Sequence, residues 1–173
     1  MGAVSAPFFD AMNKKTKNLT HGALIAALYV VLTHMQNILV PESATMMIQF
    51  RVSEALCVLA FFTPAAIPGL TVGCLLFNLT FIGSLPLDFL VGTLATLGAT
   101  ASMRLLRRLP FLGLLMPALW NAFLVGWELS VYIGGGFWLN ALYVALGELI
   151  VLLTLGTGLY LVLKKRDLGS RLF

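Results

Sequence analysis

Positive charge falls in three short clusters, each at the end of a long apolar run: Lys14, Lys15 and Lys17; Arg104, Arg107 and Arg108; Lys164, Lys165 and Arg166. The chain of 173 residues is 60% hydrophobic and 10% charged, against roughly 25% charged in soluble domains, and its mean hydropathy is +0.96. A water-soluble core of this size has no room for so much apolar surface. Helices satisfy their own backbone in lipid, so the sequence predicts an all-α integral membrane protein. The basic residues gather at segment ends and not along one face, which makes the net charge of +4 a matter of membrane topology and excludes a nucleic-acid surface.

Basic clusters stay on the cytoplasmic side, so an even number of crossings separates each cluster from the next. Apolar runs place spans at about residues 20–39, 51–64, 67–84, 86–103, 111–133 and 138–163, four before the second cluster and two after it. The expectation is a six-transmembrane-helix bundle with both termini cytoplasmic: an N-terminal extension over 1–19, a membrane domain over 20–163 and a C-terminal tail over 164–173. The second span is shorter than the roughly 20 residues that cross hydrocarbon, and Pro64 and Pro68 interrupt the passage to the third, so this pair reads as kinked or partly re-entrant. The first span has a longer apolar run than a signal peptide and no small-residue cleavage site, and reads as a retained anchor. Residues 1–19, with Phe8, Phe9 and Met12, read as a disordered tail, a short surface helix being the alternative. Cys57 and Cys74 lie in apolar segments without metal or redox spacing and read as small buried hydrophobes.

An ionisable side chain at the bilayer centre costs about 2.5 to 3.5 kcal/mol on insertion scales, so each acidic residue calls for a reason. The topology sets Glu42 in the first outer loop, Glu54 and Asp88 at the starts of spans two and four, Glu128 in the outer third of span five and Glu148 near the middle of span six. Five carboxylates thus gather in one half of the bundle. Asn121 and Glu128 are seven positions apart, within about 20° of each other on a helix, and line one face. Asn140, Tyr143 and Gly147 form a stripe on span six with Glu148 beside it, and Asn78 adds a hydrogen-bonding group on span three. Trp120, Trp127 and Trp138 offer flat stacking surfaces. Together these groups suit a planar, nitrogen-rich solute, with Glu128, Glu148, Asn78, Asn121, Asn140, Tyr143 and Trp138 as its binding residues and Arg51 and Glu54 bracing a lid over residues 40–50.

Each residue also has a structural reading. Trp127 and Trp138 suit an interfacial aromatic belt, Asn78 and Asn121 suit helix-joining hydrogen bonds, and Arg51 and Glu54, three apart, neutralise each other. Ala23 and Ala27 form an A-x-x-x-A on the first span, with Ala26 beside them, and such a pattern by itself serves internal packing. No Walker-type loop is present, so the chain has no sequence basis for hydrolysing ATP, and Gly134, Gly135 and Gly136 make an outer turn and not a phosphate loop. An intramembrane enzyme using Ser53, His21 and His34 is disfavoured, because His21 and Ser53 fall at opposite ends of their spans and no H-E-x-x-H or G-x-S-x-G occurs. A structural assembly subunit would leave the outer carboxylates without a common purpose.

Gln49-Phe-Arg-Val-Ser-Glu-Ala-Leu56, Pro64-Ala-Ala-Ile-Pro-Gly-Leu70 and Phe137-Trp-Leu-Asn-Ala-Leu-Tyr-Val-Ala-Leu-Gly-Glu-Leu-Ile150 resemble the QueT family, and the likeness runs from about residue 20 to 163. That resemblance implies a substrate-binding S component of an energy-coupling factor (ECF) transporter, in the plasma membrane of a prokaryote. It would capture a queuosine precursor from outside and associate with a transmembrane coupling subunit and two cytoplasmic ATPase subunits. It implies no cofactor in this chain, ATP and Mg being used by the partners, and it makes Ala23 and Ala27 the docking face for the coupling subunit. A 7-deazaguanine edge offers N–H donors to a carboxylate, and its carbonyl suits Asn or Gln; a protonated aminomethyl group would favour a second carboxylate, which a nitrile would not. Another vitamin-like heterocycle is the alternative substrate, since pockets change specificity on a fixed scaffold.

Overall fold

The computed structural model describes residues 13–41, 43, 48–82 and 84–165. Glu42 and residues 44–47 of the anticipated lid, Phe8, Phe9, Met12 and Arg166 with the tail beyond it lie outside the described residues.

Helix α1 runs Lys14–Leu39, capped by the Asn13 side chain, which accepts from the Lys15 backbone N–H. It starts earlier than the apolar run suggested and takes in all three lysines, because Lys is a good helix former and Asn a good N-cap. A tight 3-10 segment, Val52–Val58, follows and passes into the single turn α2, Leu59–Phe62. Pro64 stops it: Thr63, the preceding residue, is extended at φ −132° and ψ 136°, as a following proline demands. Then come α3 (Ala66–Thr80), α4 (Asp88–Leu105), α5 (Pro110–Tyr132) and α6 (Phe137–Val151), which passes through a π-turn (Leu152–Gly156) into α7 (Thr157–Lys165). Pro68 sits in the first turn of α3, where its missing N–H costs no intrahelical bond.

Among the described residues three helices are long and apolar enough to cross a membrane: Lys14–Leu39, Pro110–Tyr132 and the continuous Phe137–Lys165. Large apolar side chains face outward on every long helix, among them Leu24, Val31, Leu94, Phe123, Leu142 and Ile150. Thr33, Asn37, Ser53, Thr96, Thr100, Asn121 and Asn140 are buried instead. Apolar outside with polar inside is the arrangement that lipid, and not water, stabilises, so the chain is a helical membrane protein.

The short segment between α1 and α3 explains how eleven residues find a place in such a bundle. Every side chain from Ser53 to Phe61 is buried, so the segment is sheathed by protein where it departs from regular α-helix. Around it, α1 packs on α3, α3 on α4, α4 on α5 and α5 on α6. The α1–α3 contact is tight. A side chain at Gly69 would meet the Gly22 carbonyl at 2.6 Å, and one at Gly73 the Tyr29 Cβ at 2.8 Å, so small residues let these backbones approach. At the base, Arg104 donates to the Phe61 carbonyl at 3.0 Å, placing a cation at the negative end of the short α2 turn.

Candidate functional site

Polar side chains from every layer of the bundle meet inside it. Helix α1 contributes Tyr29, Thr33 and Gln36, one turn or less apart along a single face. The Tyr29 hydroxyl donates to Glu54 Oε1 at 2.8 Å, and the Thr33 hydroxyl lies 2.7 Å from Ser53 Oγ. Gln36 clasps the chain entering the 3-10 segment: its amide donates to Ser43 Oγ at 2.9 Å and to the Phe50 carbonyl, and its oxygen accepts from the Val52 N–H at 2.8 Å. Arg51 reaches Gln49 Oε1 at 3.4 Å and stands 3.9 Å from Glu54 Oε1. Cys57 donates its thiol to Glu54 Oε2 at 3.1 Å. Glu54 is therefore held by α1, by Cys57 and by Arg51 at once.

Glu148 on α6 feels the charges of both Glu54 and Arg51, and its Oε1 accepts from Asn121 Nδ2 on α5 at 3.3 Å. Glu128, two turns along α5 from Asn121, meets the Asp88 carboxyl of α4 through a side-chain hydrogen bond as well as through charge, and feels Arg51 less. Asp88 accepts from the Leu85 N–H at 2.6 Å, and Asn78 on α3 donates to the Asp88 carbonyl at 2.8 Å. Gly92 makes room for that contact, since a side chain there would stand 2.8 Å from Asn78 Nδ2. Gly147 does the same on α6: a side chain would run into the Gln49 backbone, so glycine lets the loop lie against the helix that carries Glu148.

Among the described residues several buried oxygens have no hydrogen-bond partner, among them Glu148 Oε2 and the amide oxygens of Asn78, Asn121 and Asn140. An unsatisfied buried polar group costs about 1 to 3 kcal/mol, so these oxygens are the candidate contacts for a bound solute.

Of the residues expected from sequence, Glu128, Glu148, Asn121 and Asn140 are wholly buried and Asn78 nearly so. Asn140 donates to the Gly134 carbonyl at 2.7 Å and so pins the outer turn. Gly134, Gly135 and Gly136 all have φ between 83° and 89°, a backbone that glycine alone adopts freely. Tyr143 is half-buried. Trp138 is set apart: it is 76% exposed and packs edge-on against Phe137, so it does not lie in the cluster. Arg51 and Glu54 sit inside the cluster and not at its rim. Ala23 and Ala27 face outward while Ala26 is buried. Sequence reasoning passed over Tyr29, Gln36 and Asp88 as site residues, although Tyr29, Thr33 and Gln36 fall at i, i+4 and i+7, a polar stripe on an otherwise apolar helix.

Residues 19–165 match the family model described as QueT transporter. A curated relative, the "Queuosine precursor transporter QueT" of Lactococcus lactis subsp. cremoris (strain MG1363), is 40% identical over 83 residues. That match takes in 48% of this chain and 47% of the relative, so it spans about half the length of each. No solved structure matches the chain.

Proposed function

Because the chain belongs to the QueT transporter family, we propose that it is the substrate-capturing S component of an ECF-type importer for a queuosine precursor of the 7-deazaguanine class. In this reading it crosses the plasma membrane of a prokaryote six times with both termini inside. The short buried segment Val52–Phe62 serves as one crossing because the surrounding helices shield it. The observation that carries the reading is the set of wholly buried side chains, Glu148, Asn121 and Asn140, each with an oxygen that has no hydrogen-bond partner among the described residues.

A 7-deazaguanine presents ring N–H and exocyclic amine donors beside a carbonyl acceptor. Glu148 suits the donor edge, because one of its oxygens is held by Asn121 while the other is open to accept. Held from one side, a carboxylate loses less rotamer freedom when ligand arrives from the other. Asn121 and Asn140 complete the hydrogen bonding, Tyr143 lines the approach, and Trp138, outside the cluster in this structure, would cover the base on closure. Arg51 neutralises part of the acidic charge and, through Gln49, ties the entry loop to the site.

Energy would come from partners: a transmembrane coupling subunit and two cytoplasmic ATPases that use ATP and Mg. Packing within the bundle employs the Gly22, Ala26 and Tyr29 side of α1, against Gly69 and Gly73. The Ala23 and Ala27 side is left outward, which suits docking of the coupling subunit. Calorimetric titration of the detergent-purified chain with deazapurines and a panel of heterocyclic vitamins tests the substrate. Tight binding confined to 7-deazaguanines supports the proposal; preference for another heterocycle overturns it.

A further inference from the structure

Trp120 stands outside the polar cluster and is exposed, yet the bundle holds its ring in place. The indole N–H donates to Ser102 Oγ on α4 at 3.1 Å. A side chain at Gly98, one turn before Ser102, would stand 2.6 Å from the ring, so glycine lets the indole lie across α4 in the seam between α4 and α5. Tryptophans of an interfacial belt sit at headgroup level. Trp120 comes ten residues after the start of α5 at Pro110, about 15 Å along the axis, too deep for that duty.

The pinned ring forms one wall of a groove on the outer side of α5. Met116, Leu119, Trp120, Phe123 and Leu124 line a space of about 250 Å³, at the i, i+3, i+4, i+7 and i+8 spacing of a single helix stripe. From Met116 to Leu124 the groove is about 12 Å long, within the roughly 15 Å that one leaflet contributes to the hydrocarbon.

Positive charge stands at its near end. Arg107 and Arg108 occupy the turn between α4 and α5, immediately before Leu109 and Pro110. Both are exposed, and among the described residues neither has an ion-pair partner. Arg104 differs, since it is turned to the Phe61 carbonyl. The acidic residues of these two helices, Asp88 and Glu128, lie at their opposite ends with none between them in the chain. A guanidinium pairs well with phosphate, and basic pockets between membrane helices bind anionic head groups. Membrane topology accounts for the arginines alone; it gives no reason for a fixed indole and a groove beside them.

We propose that the α4–α5 seam is a binding site for an anionic phospholipid, its phosphate held by Arg107 and Arg108 and one acyl chain laid along the groove against Trp120. A second copy of the chain is a poorer occupant, because a symmetric dimer across this face would bring two arginine pairs together at one membrane level. The site lies on the outside of the bundle, apart from the solute cluster.

The test is quenching of Trp120 fluorescence by phospholipids with brominated acyl chains, in the full chain carrying Trp127→Phe and Trp138→Phe, reconstituted in dioleoylphosphatidylcholine vesicles. Brominated phosphatidylglycerol or brominated phosphatidylcholine is introduced into both leaflets, so the result does not depend on which side of the membrane the arginines occupy. It is read without solute and stands or falls independently of the importer reading. Half-maximal quenching is expected at a mole fraction about 10-fold lower for the glycerol lipid, the scale of two basic residues at an anionic membrane surface. Arg107→Gln/Arg108→Gln abolishes the preference, and Arg107→Lys/Arg108→Lys keeps most of it. The reciprocal protein, with Trp120→Phe alone, reports Trp127 and Trp138 and should show no preference; the same preference there overturns the site. Equal quenching of Trp120 by the two lipids also overturns it and makes the groove part of the general lipid-facing surface. Quenching by neither lipid, the ring being covered by a second copy or another protein, overturns it too. A preference that survives the glutamine pair overturns the role of the arginines. If that variant does not fold, the comparison is repeated with the arginines intact at 1 M salt, where screening acts within about 3 Å: a reduced preference supports the phosphate contact, and an unchanged one overturns it.

Discussion

Tyr29 donates a 2.8 Å hydrogen bond to Glu54 Oε1, and both side chains are wholly shielded from solvent. The bond joins α1 to the 3-10 segment at the level of the acidic cluster. Through it the helix whose outer face carries Ala23 and Ala27 is mechanically continuous with the proposed solute site. Tyr29→Phe keeps the ring in the core and removes only the donor, so a buried carboxylate oxygen loses its partner. We expect a loss of about 1 to 3 kcal/mol, read as a lower unfolding midpoint in detergent; an unshifted midpoint would show that the bond adds nothing to the fold.

Gly147 tests whether the loop around Gln49 must lie against α6. A methyl group there collides with the Gln49 backbone, whereas one at Gly158, further along the same continuous helix, meets nothing within 4 Å. Gly147→Ala should destabilise by about 1 to 3 kcal/mol, the range for overpacking, and Gly158→Ala should be neutral or stabilising by up to about 1 kcal/mol, since alanine is the better helix former. Thermal unfolding of the two variants side by side decides it. Equal midpoints would mean that the loop yields freely.

Much of this architecture is legible in the chain because lipid imposes a simple rule on it. Apolar runs bounded by basic clusters locate the long helices, and Pro64 marks the break between the second and third segments, whereas Pro68 sits inside the first turn of α3 and interrupts nothing. The 3-10 geometry of Val52–Val58 is not legible, since burial of every neighbour, and not local propensity, holds it. Depth and helix face place Glu128, Glu148 and Asn121 inside. The same reasoning does not decide the place of Trp138, which stays outside the cluster in this structure, because an interfacial belt residue and a stacking residue have the same sequence signature. Asp88 escapes it for a different reason: its proximity to Glu128 depends on how α4 and α5 pack, which no spacing within one helix encodes.

Helix α1 has two small-residue faces with different duties, and substitution separates them. Ala26 is buried where Gly73 approaches, a side chain at Gly73 standing 3.2 Å from the Ala26 Cα. Ala26→Leu should therefore destabilise the isolated chain by about 1 to 3 kcal/mol or more. Ala23→Leu and Ala27→Leu point outward and should leave its unfolding midpoint unchanged within about 0.5 kcal/mol. Co-purification with the coupling subunit and ATPases should show the reverse for the outward pair, with assembly lost from a well-folded protein. Intact assembly in Ala23→Leu/Ala27→Leu would move the docking face elsewhere.

Glu148→Gln separates binding from folding at the centre of the proposed site. The substitution is isosteric and keeps an oxygen to accept from Asn121, so the internal contact at 3.3 Å has a substitute. It removes a charge whose burial is costly, and removing such a charge without leaving its partners stranded is often neutral or stabilising. Arg51 keeps Glu54 at 3.9 Å, so it is not stranded. Ligand is affected differently: a hydrogen bond to a charged acceptor contributes about 1.5 to 3 kcal/mol, so affinity should fall about 10- to 100-fold, while the unfolding midpoint holds or rises. Calorimetry and thermal unfolding on the same preparation report the two quantities independently. A folded variant with undiminished affinity would remove Glu148 from the ligand, because no other described carboxylate has one oxygen held by Asn121 and the other open to accept.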